Sequence, residues 1–426
     1  MVEAHANSTD DYLIEGLSFK LAPGASYVTN RKSVSFFPSG SDTYGPTSGT
    51  KVIKIRLNGT DWLDPSTVKV MFTLTNKDTA NVLHFLSGPH SFFRRMRIVC
   101  GGQVVEDIDD YNRVCEMFNI LQSESVRKND EIEGTGRWDG DDAETLATGG
   151  SKTIGMKLCS GLLNQSKMLP LRYCPIEIEL ELVNSAVDAV AGSPAQCNDW
   201  VISDVQCKCD LVTLDNGLEN SYSEHVLEGK SLPINYSTYI SQSQVVTDLN
   251  IGVNVSRAVT RLKSIFMSMD GPNPTPATQA KLKTFNNFWH PSTVGEGVYN
   301  AGKEIELQVQ VGSKLYPEYP IRSSSEAFSQ LRKTMGIHNS PFHSLDITGK
   351  QYRNYKFIVA VDTEKVLEAG FTGLNTRAGD MMTIKVKPIN SSLMGTTAAD
   401  KPTKFFTVLH SDCILEIRDT GVSVSD

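Results

Sequence analysis

The stretch PIEIELELV at residues 175–183 constrains this chain more than any other part of it, because Ile176, Ile178, Leu180 and Leu182 fall on one phase while Glu177, Glu179 and Glu181 fall on the other. A period of two puts successive side chains on opposite sides of an extended backbone, so this segment is a strand with one face in a core and one in water. The same alternation recurs. At residues 51–57, Ile53, Ile55 and Leu57 oppose Lys54 and Arg56. After a turn expected at Asp64-Pro65, Val68, Val70, Phe72 and Leu74 oppose Lys69, Met71, Thr73 and Thr75. In SFFRRMRIVCGGQVVEDI (91–108), Gly101-Gly102 separates two β-prone runs and supplies the positive φ angles of a tight hairpin. Further strand signals lie at 153–158, 168–173 and 201–215. In the second half they lie at 234–239, 261–269, 304–311, 356–361, 381–387 and 405–417.

Helical spacing is scarce by comparison. Asp109 and Asp110 are candidate caps for a helix carrying Tyr111, Val114, Cys115, Phe118 and Leu121 inward. Ser323 and Glu326 form a capping-box pattern ahead of Ala327, Phe328, Leu331 and Met335, with Gly336 as the stop. Many short strands with one main helix per half, and no β-α alternation, predict an all-β chain of antiparallel sandwiches or barrels. Its 426 residues exceed one ordinary core and fit two tandem eight-stranded jelly-roll barrels with a few short helices in loops. The expected division is an N-terminal arm and lead-in at 1–48, a first roll at 49–215, a polar connector with one short helix at 216–233, and a second roll at 234–426. The strings FFRRMRIV (92–99) and AVTRLKSIF (258–266) read as the trace of a duplication.

Composition narrows the function. Hydrophobic residues at 39% and charged residues at 21% suffice for real cores. A net charge of −8 and a pI near 5.6 argue against a protein that neutralises phosphates, so sequence-specific nucleic-acid binding is not expected. The opening MVEAHANSTDDY has neither a cationic nor an apolar signal region, and no apolar run approaches the roughly 20 residues that span a bilayer. Without secretion, the Asn-x-Ser/Thr triplets at Asn7, Asn58, Asn164, Asn235, Asn254 and Asn390 are not expected to carry sugars.

Several residue sets invite chemistry. Glu177, Glu179 and Glu181 repeat at about 7 Å along a strand, within the range of inverting glycosidases, but as the polar phase of an alternating strand they read better as a solvated face or subunit contact. Cys197, Cys207 and Cys209 lack the CxxC knuckles or His partners of a zinc site, and read as buried strand cysteines. With Cys100, Cys115, Cys159, Cys174 and Cys413 they make eight dispersed cysteines, expected to be reduced and mostly buried. His84, His90, His225, His290, His338, His343 and His410 are scattered, with no metalloprotease or nucleophile-elbow string. Gly101-Gly102 and Gly149-Gly150 lack the Lys-Ser/Thr ending of a phosphate loop. DEIEGTGRWDGDDAE (130–144) and KFIVAVDTEK (356–365) lack the ligand order of an EF-hand. No catalytic residue, metal ligand or cofactor is therefore assigned.

Longer strings carry a resemblance. SKLYPEYPIRSSSEAFSQLRKTMG (313–336), EKVLEAGFTGLNTRAGDMMTIKVK (364–387) and VLHSDCILEIRDTGVSVSD (408–426) resemble the second roll of double jelly-roll major capsid proteins of double-stranded DNA viruses. The nearest in kind are those of polinton-like viruses and their virophage-like relatives. SFFRRMRIVCGGQVVEDIDDYNRV (91–114) resembles the corresponding first-roll hairpin and helix, and VISDVQCKCDLVTLDNGLENSYSEHVLEGKSLPI (201–234) the passage between rolls. The resemblance implies a non-enzymatic structural protein that forms homotrimers, whose pseudo-hexagonal capsomers tile an icosahedral shell. It implies contacts with neighbouring trimers and with minor capsid and penton proteins, and residence in a virion assembled inside the infected cell. The acidic, Gly-rich stretch 123–151 lies outside these strings and is expected to be a solvent-facing loop, and the arm is expected to serve assembly. The rival readings are a jelly-roll carbohydrate-binding protein, which needs an exposed aromatic platform that Trp62, Trp138, Trp200 and Trp289 do not obviously form, and a secreted glycosidase.

Overall fold

The computed structural model describes residues 27–47, 49–136, 144–191, 196–272, 285–292, 299–338, 345–366, 372–377, 381–394 and 401–426. The alternating segments form strands whose apolar phases face one another across two sheets. In the first half these are β1 (Val28–Phe36), β2 (Val52–Leu57), β3 (Trp62–Asn76), β4 (Phe93–Cys100), β5 (Gln103–Ile108), β6 (Ser151–Met156), β7 (Ile176–Leu182) and β8 (Trp200–Leu214). They pair antiparallel in the orders β1-β8-β3-β6 and β2-β7-β4-β5.

The second half supplies β9 (Leu232–Val245), β10 (Ile251–Val255), β11 (Leu262–Asp270), β12 (Ile305–Val311), β13 (Lys314–Ile321), β14 (Val359–Asp362), β15 (Met382–Pro388), β16 (Lys404–Arg418) and a final β17 (Gly421–Ser425). Its orders are β9-β16-β11-β14, with β17 added beside β16, and β10-β15-β12-β13. Adding eight to each first-half strand number reproduces the second-half order in both sheets. Each half is thus a two-sheet jelly roll of eight principal strands, as the alternation predicts. The duplication lies in this topology and not in the strings 92–99 and 258–266. Those fall on β4 and β11, and the counterpart of β4 is β12.

Helices fill the loops: α1 (Tyr111–Ile120), α2 (Glu124–Glu133), α3 (Gly161–Asn164), α4 (Asn216–Leu227), α5 (Ser324–Thr334) and α6 (Gly349–Asn354). The Gly101-Gly102 hairpin forms as expected, with φ of +54° and +86°. Ser323 caps α5 by accepting from Glu326 N at 3.1 Å, and Gly336 follows the helix at φ +69°. The Glu326 carboxylate reaches Arg322 N at 2.6 Å, one residue before the cap, so the box is offset.

Five expectations change. Residues 28–36, expected to belong to an arm or extended lead-in, form β1, paired with β8 from Val28↔Leu214 to Phe36↔Cys207. An edge strand exposed along most of its length has no apolar phase to betray it. The rest of the arm, before residue 27, lies outside the described residues. Asp64-Pro65 is a bulge inside β3 and not a turn before it: between Lys208↔Lys69 and Asp210↔Asp64 the register skips, and Asp64 holds the extra residues through Ser66 N at 3.2 Å and Ser66 Oγ at 2.7 Å. Asp110 precedes α1 in the left-handed region, φ 46°, without a side-chain cap bond. The stretch 123–151 contains α2, none of whose residues is buried; its two large apolar residues, Val126 and Ile132, are exposed, so it has no stripe to read. Residues 137–143 of that stretch lie outside the described residues. The strand expected at 356–361 begins only at Val359.

The two rolls share one continuous apolar core. At the seam Tyr236 on β9 donates to Val105 O at 3.0 Å, Lys167 Nζ donates to Pro233 O at 2.9 Å, and the Phe118 ring of α1 packs 4.6 Å from Tyr239 and 5.2 Å from Phe266. Arg113 of α1 crosses into the second roll, where its guanidinium pairs with the buried Asp270 and lies 4.3 Å over the Phe406 ring. Gly161 fits where no other residue could: a Cβ there would stand 1.4 Å from Ser237 O of β9.

Candidate functional site

The most chemically loaded surface is the outer face of the β2-β7-β4-β5 sheet. Backbone register sets Lys54, Glu179, Arg97 and Asp107 directly opposite one another across four strands, so charge alternates from strand to strand. Lys54 pairs with Glu179, Glu179 with Arg97 at 3.4 Å, and Arg97 with Asp107 at 3.4 Å. A parallel set joins Arg56 to Glu177 at 2.6 Å, Arg94 to Glu181 at 3.8 Å, and Arg95 to Asp107 at 2.7 Å. Burial alone would raise the Asp107 carboxyl, but the Arg95 hydrogen bond and charge outweigh it and hold the group below the usual carboxylate range. The three glutamates of the alternating strand are therefore each committed to a cation on a neighbouring strand. The arrangement is a cross-strand ion ladder.

Cys207 and Cys209 lie buried on the inner side of β8, as the alternation implies, and burial pushes the Cys209 thiol up to about 11. Cys197 instead donates to Asn76 Oδ1 at 3.3 Å and Asp199 O at 3.2 Å. The three form no common ligand set, and among the described residues no group of three His, Cys, Asp or Glu side chains could hold a metal ion. No disulfide joins the eight cysteines; seven are buried and Cys159 is partly exposed. Trp200 and Trp289 are buried and Trp62 packs 4.9 Å from Tyr222, so these three make no aromatic platform; Trp138 and His343 lie outside the described residues.

Two histidines enter clusters that no sequence motif foreshadowed. His290 Nδ1 stands 2.7 Å from Ser292 Oγ, and its Nε2 lies 3.3 Å from Glu304 Oε2, in the order hydroxyl, imidazole, carboxylate. All three are buried, and Glu304 also accepts from Ser324 N at 3.1 Å and Ser324 Oγ at 2.9 Å, which ties it to the first turn of α5. Burial lowers the His290 ring below its ordinary value although Glu304 opposes this. In the first roll, His90 Nε2 lies 3.0 Å from the buried Glu116, which also accepts from Ser87. The Ser292–His290, His90–Glu116 and Ser87–Glu116 contacts give buried polar groups hydrogen-bond partners inside the rolls. Their members come from segments distant in sequence, so spacing gave no sign of them.

A cleft of about 720 Å³ opens between α1, α2, the end of β6 and α6 of the second roll. Its walls carry both signs of charge, with Arg127, Lys128 and Lys157 near Glu124, Asp130 and Asp346. Among the described residues no helix is long and apolar enough to cross a membrane.

The pairing of two identical eight-strand orders in one chain defines a double jelly roll, the architecture of a class of viral capsid proteins, and solved structures bear this out. The chain is similar to the PBCV-1 protein fitted into a cryo-EM reconstruction of the virophage Sputnik, at TM-score 0.63 and 12% identity over 96% of this chain and 99% of that one. It is similar to the Sputnik virophage structure solved by cryo-EM, at TM-score 0.61 and 10% identity over 96% and 91%. It is also similar to the Faustovirus major capsid protein, at TM-score 0.53 and 8% identity over 91% and 90%. No protein-family profile and no curated protein sequence matches it.

Proposed function

We propose that this chain is the major capsid protein of a double-stranded DNA virus or virophage. The observation that carries the reading is the repeat of one eight-strand order in two rolls sealed over a common core. Two such rolls per chain, related by a threefold axis, give a trimer with six barrels around its rim and a pseudo-hexagonal outline that tiles a shell. Closed barrels suit this work because they leave few free sheet edges to pair at random. The neutralised ladder suits it too, since a face whose charges are already paired repels no neighbour.

In this reading the first roll, expected over residues 49–215, also takes in β1 (Val28–Phe36) as its edge strand, 216–233 is a connector built on α4 whose last two residues open β9, and 234–426 completes the second roll. The partners are two further copies within the trimer, adjacent trimers, and minor capsid and penton proteins. The protein has no catalytic task, in keeping with glutamates locked in ion pairs and a buried Ser292–His290–Glu304 cluster.

Size-exclusion chromatography with light scattering tests the proposal. A stable particle of three times the 46.8 kDa chain mass is expected, with hexagonal outlines in negative-stain micrographs. A monomer at micromolar concentration would reject the capsid assignment and favour a carbohydrate-binding or hydrolytic jelly roll.

A further inference from the structure

The sequence contains two Asn-Gly pairs, Asn58-Gly59 and Asn216-Gly217, and the fold puts them in opposite situations. An asparagine followed by glycine is open to self-modification, because the next backbone nitrogen can reach the side-chain carbonyl carbon and glycine has no Cβ to hinder it. Both asparagines are exposed, so access of water does not separate them. What separates them is the freedom of the attacking nitrogen. Asn216 is the first residue of α4, behind the cap Asp215. Gly217 N is already donated to Asp215 Oδ2 at 3.0 Å, and both residues are fixed in the first helical turn. Asn58 and Gly59 stand instead in the turn between β2 and β3, where Thr60 is exposed as well. Among the described residues no hydrogen bond holds the Gly59 N–H. The nearest atom to a Cβ built on Gly59 is Asp61 N at 4.0 Å, so nothing crowds the turn.

We propose that Asn58 is a modification site, converted by water to aspartate and isoaspartate in the folded protein, while the α4 cap keeps Asn216 intact. The reaction balances in two steps. Gly59 N loses its proton and bonds to Asn58 Cγ; the side-chain amide nitrogen takes up that proton and leaves as ammonia, which closes a five-membered imide. Water then breaks one of the two bonds from the imide carbonyls to Gly59 N. Cleavage at Cγ gives aspartate, and cleavage at the main-chain carbonyl gives isoaspartate, with the chain now running through the side chain. One amide and one water become one carboxylic acid and one ammonia.

The location gives the change a consequence. The turn leads into Asp61, whose carboxylate pairs with Lys32 of β1 at 2.6 Å and accepts from Thr213 Oγ1 of β8 at 3.0 Å. Beside it, Trp62 Nε1 donates to Glu219 of α4 at 2.8 Å. Conversion takes the formal charge of the chain from −8 to −9, and isoaspartate lengthens the main chain where the edge strand, its partner and the connector helix meet. The step needs no enzyme or cofactor, so the extent of conversion records how long a molecule has been folded.

The test incubates the full-length folded protein at mildly alkaline pH beside a second sample unfolded in urea, and follows both by peptide mass spectrometry. Isoaspartate is read separately, by enzymatic methylation with labelled S-adenosylmethionine. In the folded protein the Asn58 peptide is expected to pass from amide to acid, with Asn216 reacting roughly tenfold more slowly, the factor that keeping one N-cap bond closed supplies. In urea the two sites should react at similar rates. Gly59→Ala, for which the turn has space, should remove most of the conversion at Asn58. Equal rates at the two sites in the folded protein, faster reaction at Asn216, or an intact Asn58 in a folded sample whose urea counterpart reacts would each overturn the proposal. The wild-type comparison of folded and unfolded samples decides the question even if the alanine variant folds poorly.

Discussion

The two rolls share a strand order and differ in how their outer sheets are dressed. In the first roll the β2-β7-β4-β5 face is an ion ladder, Lys54–Glu179–Arg97–Asp107, with each charge beside its opposite. The corresponding β10-β15-β12-β13 face of the second roll sets Asn254, Thr383 and Gln310 in register. Its ties are mainly neutral or singly charged hydrogen bonds: Thr383 Oγ1 to Asn254 Oδ1 at 3.0 Å, Lys385 Nζ to Gln310 Oε1 at 2.7 Å, and Gln308 Nε2 to Pro317 O at 3.2 Å. Topology therefore depends on the apolar phase of each strand and leaves the polar phase free to vary. Either chemistry satisfies a solvated sheet face, because exposed cross-strand pairs contribute at most about 1 kcal/mol each.

The largest expected effect comes from cutting the tie between the rolls. Arg113→Ala leaves the buried Asp270 carboxylate unpaired and should cost about 3–5 kcal/mol. Calorimetry should then resolve two transitions where one is expected of the wild type, and the double variant Arg113→Met, Asp270→Leu should recover most of the loss. A single transition at the wild-type temperature in Arg113→Ala would mean that the seam does not couple the rolls.

Next in size is a pH effect of opposite sign in the two rolls. Burial against Tyr239 in the second roll brings His410 down to about 4 from its ordinary 6.5. Between those values the unfolded chain holds the proton and the folded chain does not. Stability from this site is whole above about 6.5 and is lost as the pH falls toward 4, by about 1–3 kcal/mol after allowance for the exposed edge of the ring. Glu106, buried in the first roll, has a raised carboxyl, so folding favours its protonated form and acid helps there. Urea unfolding across this range should show a loss on acidification that His410→Gln reduces, leaving the part contributed by the buried His290, and that Glu106→Gln does not reduce.

Smaller again is a test of the ladder itself. Glu179→Lys sets a third cation between Lys54 and Arg97 and should cost about 1–2 kcal/mol, more at low salt than at high. Gln310→Glu in the second roll offers Lys385 a charged partner and should gain at most about 0.5 kcal/mol. Equal urea midpoints for both variants would mean that the difference between the faces has no energetic content. The smallest effect is expected from removing residues 1–25, which stops short of β1 and should shift the melting temperature by only a few degrees while impairing shell assembly. Removal through residue 37 uncovers the β8 edge and should cause aggregation, visible by light scattering.

Strands with one face in a core were legible from the sequence. PIEIELELV, the segments around Ile55 and Phe72, the Gly101-Gly102 hairpin and the Ser323 cap all take the local structure their residues favour, since period and turn chemistry act over a few residues. What escaped local reading was decided by partners far along the chain. β1 is a strand because β8 offers it an edge, although its own residues show no apolar phase. α2 has no buried face, and its first turn is tied by Glu124 N to Asp346 Oδ2 at 2.6 Å in the other roll. The committed charges of Glu177, Glu179 and Glu181 and the buried order Ser292–His290–Glu304 likewise exist only once strands have paired and rolls have closed. Alternation along a strand sets which way side chains point; which side chains they meet is set by register and packing between segments that sequence distance does not relate.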